Sequence, residues 1–521
     1  MVAKRIMDLC KRLKFLWVSF LALGVINVNA QNFAPIAVGK YAGVHAAKIN
    51  PSLTAYTPYD WHVNIIGVWG NVNNNYVNLK LPYSAYDLIF NTMPKAYKDS
   101  VGNPIYDKAW LPETLDGKRK NCNVGVMVYL PSISFKYKRF RIGIVNDLVT
   151  LASFEGFEQG FTHASYNGYR KSSNAFNWVR WKNNSYLFNE SVAKLNSWVS
   201  NGINIAYLPK LQGQQSLMYG ATFKKITGIH GISIHLDDMN IVRQGTSLLN
   251  FESTKINYNY YHGNTSGIGL DLGMAWVYNK PEYLRNGDYL KRHKQYKYKF
   301  ALSVMDIGSM RARNADVTYI ENSSTASWDV TNELQRITNY IDQSGIAQRK
   351  PSDFSGFQTE YGILNEVFKE LSGQRFGKQD VIIGLPTRFV ASIDYQYSKY
   401  VFIQTQVMQS LRGRYAQAAR YQSYAMIAPR YEREKWEVSM PVLLEYDYRS
   451  LRAGLSFRAG CFYIGSKSVF NLLYTRNMRD ADIYMGFTVY RFAGTKNSRF
   501  IQMMRDQIDR LDKKKPDCEK M

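Results

Sequence analysis

The chain has 521 residues with 21% of them charged, which excludes wholesale disorder and leaves enough length to bury a large core or close a large barrel. Its formal net charge of +25 favours acidic partners such as lipopolysaccharide phosphates, acidic glycans or an anionic protein. Tyrosine is the outstanding component, at 39 residues beside 26 Phe and 10 Trp, and its apolar ring and wet hydroxyl suit a boundary between hydrocarbon and water.

Residues 1–30 are predicted to be a cleaved signal peptide. Lys4, Arg5, Lys11, Arg12 and Lys14 give a positive start, Phe15 to Val28 is mostly apolar, and Val28-Asn29-Ala30 sets a small residue before a cut that leaves Gln31 first. A transmembrane anchor is the competing reading, but a spanning helix needs about 20 apolar residues, and no later segment reaches that length either. The exported chain stays strongly basic. Export argues against a nucleic-acid partner, and no nucleic-acid motif is present. Cys10 leaves with the signal, and Cys122, Cys461 and Cys518 stand singly, so at most one disulfide forms and no thiol metal site is expected.

Residues 31–60 are irregular and rich in small side chains, from Ala34-Pro35 through Gly43 and Ala47 to Asn50-Pro51-Ser52. Such a segment would plug a barrel or hang below it. From residue 61 onward a period of two recurs, the mark of strands with one apolar and one polar face. Tyr296, Tyr298, Phe300, Leu302 and Val304 share one side against Lys297, Lys299, Ala301 and Ser303. Ile268, Leu272, Met274 and Trp276 alternate with Gly267, Gly269, Asp271 and Gly273, and Ile483, Met485, Phe487 and Val489 alternate with Asp482, Tyr484 and Gly486.

Alternation alone also fits a soluble sandwich. Three features favour a membrane barrel: strands of about 9–13 residues, apolar runs that end in Tyr or Trp, and tight junctions that alternate with long inserts. The junctions are Lys138-Arg139, Gln212-Gly213, Ser398-Lys399 and Glu432-Arg433, and the inserts are 81–121, 154–200 and 307–380. Candidate strands lie near 61–79, 122–136, 140–152, 201–210, 214–225, 229–239, 248–260, 265–278, 295–306, 384–397, 400–410, 420–431, 435–447, 450–459, 460–467 and 481–492. The segments 229–239 and 460–467 are the weakest, so the expectation is an all-β, transmembrane antiparallel barrel of about 14–16 strands spanning 61–492. An even number sends the three inserts to the outside.

The insert 307–380 is predicted to be partly helical. Ser327 would cap a helix through Val330, Leu334, Ile337 and Ile341, and Tyr361, Leu364, Val367, Phe368 and Leu371 mark a second. These helices would pack on each other or fold into the lumen. After Phe492, residues 493–521 turn basic, and Ile501, Met504, Ile508 and Leu511 mark an amphipathic periplasmic tail. Tyr490-Arg491-Phe492 resembles the terminal signal read by the barrel-assembly machinery.

Several blocks carry a family resemblance: Tyr41-Ala-Gly with Ile49-Asn50-Pro51-Ser52, Leu385-Pro-Thr-Arg-Phe389, and Trp436-Glu-Val-Ser-Met-Pro441 with Gly454-Leu-Ser-Phe-Arg-Ala-Gly460 and Ile464-Gly465-Ser466. They resemble a Bacteroidota family of outer-membrane barrels of unknown function, itself similar to the long-chain fatty-acid transporter barrels and the Por-type shuttle barrel of type nine secretion. The resemblance implies that residues 31–60 form a hatch, with Asn50, Pro51 and Ser52 standing where the transporters carry Asn-Pro-Ala. It carries over no ligand-binding residue.

A catalytic constellation is not apparent. None of the seven histidines sits in an HExxH pattern, and no GxSxG elbow, P-loop or GxGxxG occurs. His230 and His235 are five apart on a strand, hence on opposite faces. Asp237-Asp238 and the pair Glu437 and Glu445 could do acid–base work, but a lumen salt-bridge network with Arg452 and Arg458, and with Arg388 as a further member, fits a barrel better. Gly267, Gly269, Asp271 and Gly273 are candidate lumen-facing residues, where glycines would bend the sheet, admit a plug or clear a ligand path. No enzyme, metal or cofactor is expected. The first functional expectation is a barrel that binds or passes a hydrophobic or amphipathic small molecule. The second is a non-transporting component of a secretion, motility or surface complex. Expected partners are outer-membrane lipid and lipopolysaccharide, with a periplasmic or surface protein for the second reading.

Overall fold

Backbone amides in hydrocarbon find partners only on a neighbouring strand, and the two-faced segments meet this demand by pairing in chain order until the last strand joins the first. The computed structural model describes residues 34–83, 92–99, 110–163, 185–209, 214–244, 248–279, 296–322, 326–329, 374–413, 418–445, 450–469 and 477–492, with Asp87 and Ala416. The predicted signal peptide, the helical runs within 330–373 and the tail 493–521 lie outside these residues.

Fourteen strands form the ring. They are β1 (Tyr59–Asn74), β2 (Lys120–Tyr129 and Ser132–Tyr137), β3 (Phe140–Phe157), β4 (Ser185–Phe188 and Ser191–Tyr207), β5 (Gln215–Gln244), β6 (Leu248–Asn279) and β7 (Tyr296–Asn322, resumed at Ala326–Asp329). There follow β8 (Gln374–Gly384 and Arg388–Gln396), β9 (Val401–Ser410), β10 (Tyr424–Glu432), β11 (Trp436–Ser439 and Val442–Glu445), β12 (Ser450–Ala453 and Leu455–Ala459), β13 (Phe462–Ser466) and β14 (Asp480–Phe492). All pairings are antiparallel, and β1 pairs with β2 on one edge and with β14 on the other, which closes the barrel.

The outer surface is apolar, as a transmembrane barrel requires. On β14, Ile483, Met485, Phe487 and Val489 are 38–47% exposed while the alternating Tyr484 is 1% exposed. At the end of the barrel that holds the short turns, rings form a girdle: Phe140 with Tyr207, Tyr278 with Tyr298, Tyr298 with Tyr395, and Tyr431 with Tyr400 and Trp436.

The wall is lopsided. β5, β6 and β7 run for 30, 32 and 27 residues, whereas about 9–11 cross a membrane. On β6 the exposed apolar side chains end at Ile268, and the outward positions beyond it are Ser266, Asn264 and His262. From there the strand continues for roughly 60 Å at ~3.3 Å per residue. The segments of β11, β12 and β13 are only four or five residues long.

These long strands correct the predicted boundaries. The segment 229–239 is no separate strand but the continuation of β5, and 248–260 and 265–278 are one strand. Gly263 and Asn264, both at positive φ, form a bulge opposite Ile229 that breaks the period without ending the pairing. The insert expected at 307–380 is cut at both ends, because 307–322 and 374–380 are paired wall. Ser327, expected as a helix cap, lies in strand and pairs with Asn250. Tyr296, expected on the same side as Tyr298, is instead fully buried with its hydroxyl donating to Asp394, because the register shifts between Tyr296 and Tyr298.

Candidate functional site

The lumen is closed at two levels. The lower closure is the segment 34–56, which enters as a helical turn α1 (Ala34–Ala37) and continues as two 3-10 helices, Gly43–Lys48 and Pro51–Tyr56. Pro51 sits at the first position of the last helix, where its missing N–H is not needed. Asn50 caps that helix, its Oδ1 accepting from the Ser52 N–H at 2.9 Å and the Ser52 hydroxyl at 2.7 Å. The Asn50 amide then donates to the carbonyls of Met274 on β6 and Leu302 on β7, at 3.1 and 2.8 Å. Ser303 donates to the Ile49 carbonyl at 2.6 Å, and Tyr56 donates to Asn279 Oδ1 at 2.6 Å. The small residues predicted to mark this segment pack against small residues of the wall, with Ala42, Ala46 and Ala55 in one cluster with Ala206, Ala275 and Ala301.

Gly273 and Gly220 make this seat. A Cβ on Gly273 would overlap Asn50 Oδ1, and one on Gly220 would overlap the backbone of Pro51 and Ser52. His45 of the hatch is buried among the rings of His62, Tyr129 and Tyr463. Burial, with Lys48 adding to it, holds its imidazole neutral, with a pKa down to about 3.

The upper closure is the connection from β9 to β10. Ala418, Ala419 and Tyr421 join the interior apolar cluster together with Ile49 of the hatch. The Ala419 N–H donates to Asn196 Oδ1 on β4 at 2.6 Å, and Arg420 lies 3.5 Å from Glu155 of β3. The interior is rich in Met and Tyr, including Met127, Met305, Met310, Met408, Met426, Tyr129 and Tyr424.

One guanidinium joins the two closures. Arg388 of β8 donates to Asp306 of β7, donates to the Lys48 carbonyl of the hatch at 3.4 Å, and stacks 4.3 Å from the ring of Tyr421. Asp306 also accepts from Lys224 at 2.6 Å, and Lys224 reaches Asp271 at 2.7 Å. Lys48 itself donates to Asp147 of β3. Between these groups about 30 Å³ is left, room for roughly one or two waters.

The expected lumen residues fall into separate places. Gly273 lies against Asn50, Gly269 faces Leu385 and Lys224, Gly267 is pressed against the backbone of Ser309 and Met310, and Asp271 joins the Lys224 cluster. Arg452 pairs with Glu445 at 3.1 Å and Asp480 at 2.9 Å, while Arg458 pairs with Glu437 at 3.2 Å. Arg388 belongs to the cluster with Asp306, Lys48 and Tyr421. His230 lies directly across from His262, and His235 across from Asn257. Among the described residues no three His, Cys, Asp or Glu come together to hold a metal.

Sequence reasoning missed the fully buried Arg430. It donates to Asp394 at 2.8 Å, Glu432 at 2.8 Å and Gln404 at 2.9 Å, with Lys299 3.4 Å from Asp394. It also missed the inward turn of 418–423, which has no periodic signal. Arg430 and Glu432, which alternate with Pro429 and Tyr431 on β10, were the available clue that their side faces inward.

The family model for a family of unknown function, DUF5723, matches residues 51–467. The chain belongs to the DUF5723 family. Among curated proteins none matches significantly. Solved structures similar to this member of the family include the toluene transporter TbuX of Ralstonia pickettii, at 10% identity and a TM-score of 0.37 over 89% of this chain and 99% of that one. A FadL homologue of Pseudomonas aeruginosa gives 10% identity and a TM-score of 0.36 over 89% and 98%. A mutant of the TodX monoaromatic hydrocarbon channel gives 9% and 0.39 over 87% and 95%. The barrel assignment of this family member rests on its own strand register.

Proposed function

We propose that this DUF5723 member is an outer-membrane barrel of a Gram-negative bacterium of the Bacteroidota that binds and passes a hydrophobic or amphipathic small molecule. In this state it is shut by the hatch and by the inward loop. The observation that carries the reading is Arg388, which touches the wall, the hatch and the loop at once. A plug that only filled space would need no such charged joint between two separate segments. The Met-rich interior supports the same reading, because thioether side chains repack around apolar molecules at low cost. The apolar belt and the girdle of Tyr and Trp support placement in the outer membrane.

The test is uptake of the hydrophobic dye N-phenylnaphthylamine by cells expressing the protein. Arg388→Ala leaves Asp306 its hydrogen bond from Lys224, while the loop and hatch lose their joint. A hydrogen bond from a charged group contributes about 1.5–3 kcal/mol, so the open population and the uptake rise roughly tenfold to a hundredfold. Uptake at the level of empty-vector cells for both wild type and Arg388→Ala would refute passage. The second reading, a docking component, would then stand on the wall of β4–β8 that rises beyond the apolar belt.

A further inference from the structure

We propose that the outer wall carries a binding groove for an anionic diacyl glycerophospholipid, independent of whether the lumen passes a solute. The groove holds about 640 Å³, within the roughly 300–1,000 Å³ range of small-molecule sites. Its walls are outward side chains of four adjacent strands, namely Ile205, Tyr219, Phe223, Leu272, Met274 and Leu302, and its floor includes the backbone of Gly220 and Gly273. Those two glycines explain why the dent is there. With no Cβ between them and Asn50-Pro51-Ser52, the sheet lies directly on the hatch, and drawing the wall inward leaves a concavity on its lipid side.

The turn end of the groove supplies what a phosphate headgroup needs. Tyr298, Phe300 and Leu302 follow one another along the outer face of β7, so the groove runs down into the ring cluster of Trp276, Phe300, Tyr278 and Tyr298. There the Lys297 ammonium lies 4.6 Å from the centre of the Tyr395 ring and donates to the Tyr395 hydroxyl and the Gln396 carbonyl, each at 3.3 Å. An ammonium has three donors, so a third remains for a phosphate oxygen. On the other flank Tyr207 packs against Phe140 at 4.9 Å, beside the turn that carries Lys138 and Arg139. Among the described residues, the turn ends of β2 to β7 carry Lys136, Lys138, Arg139 and Lys297 and no acidic side chain, so these residues add a positive contribution at headgroup depth. Apolar space for acyl chains thus adjoins fixed cations at the aromatic girdle. That combination fits a negatively charged glycerophospholipid and not a neutral hydrocarbon.

Native mass spectrometry of the purified full chain tests this, with dioleoyl-phosphatidylglycerol or dioleoyl-phosphatidylcholine added to the detergent. Wild type is expected to retain phosphatidylglycerol with at least an about fivefold preference, the effect of one basic residue near a membrane surface. Lys297→Glu is expected to abolish the preference while keeping the phosphatidylcholine that wild type holds. Leu302→Trp, which fills the groove from its outer side, is expected to lower retention of both lipids, and Met274→Trp gives the same reading should Leu302→Trp not fold by its heat-modifiable gel mobility. Equal retention of the two lipids by wild type overturns the proposal, as does unchanged retention in a folded groove-filling variant. Displacement of phosphatidylglycerol by lipopolysaccharide at equal concentration also overturns it, because the site would then belong to the other leaflet.

Discussion

Arg430→Met is expected to destabilise the barrel by about 3–5 kcal/mol, the usual effect of removing one partner from a buried ion pair. Arg430 is fully buried and joins Asp394 and Glu432, and through Asp394 it is tied to Lys299. Its loss leaves two carboxylates, on the lumen side of β8 and of β10, without their shared cation. The urea midpoint of the folded, heat-modifiable form reports the effect. Neutralising the group as a whole should recover at least half of the loss, since replacing a complete buried ionic group is often neutral. The variant carrying Arg430→Met, Asp394→Asn, Glu432→Gln and Lys299→Met makes that comparison. A single substitution that leaves the midpoint in place would mean the lattice on the β8–β12 side contributes nothing to closure of the ring.

The second large effect is expected from Gly273→Val, which should unseat the hatch while sparing the barrel. Val suits a strand, and its side chain would point inward, onto Asn50 Oδ1, Asn50 Cγ and Pro51 Cδ. Overpacking of this kind costs about 1–3 kcal/mol. Here the cost falls on the docked state alone, because Asn50 gives up its bonds to the Met274 and Leu302 carbonyls. Amide exchange across 46–56 should accelerate roughly tenfold to a hundredfold, and dye uptake should rise with it. Exchange at the wild-type rate would show that the hatch is held by something other than this seat.

Much of the outer surface was legible in the sequence because lipid imposes one rule on every strand. Ile483, Met485, Phe487 and Val489 alternate since each must face hydrocarbon, and the period reveals them without knowledge of any neighbour. The small residues and Asn50-Pro51-Ser52 of the segment that packs against the wall could be picked out by composition alone. The interior was not. Lys48 meets Asp147, and Arg388 meets Asp306, Lys48 and Tyr421, partners that lie far apart in the chain. No local spacing encodes such contacts. Strand lengths failed for a different reason. Gly263-Asn264 reads as a turn because its residue types favour positive φ, yet the same conformation serves a bulge inside continuous pairing. The strand 374–384 was missed because Gln374, Arg375, Lys378, Gln379 and Asp380 are polar on both faces, as wall beyond the hydrocarbon is free to be.

The most direct measurement locks the upper closure. Asn196→Cys and Ala419→Cys, in a chain whose Cys122, Cys461 and Cys518 are replaced by Ser, place two thiols where the Ala419 N–H now meets the Asn196 side chain at 2.6 Å. Dye uptake is then compared in oxidised and reduced cells. A loop that must leave the lumen for passage gives background uptake when the disulfide is closed and recovery of uptake on reduction. Equal uptake in the two states would contradict a gated lumen.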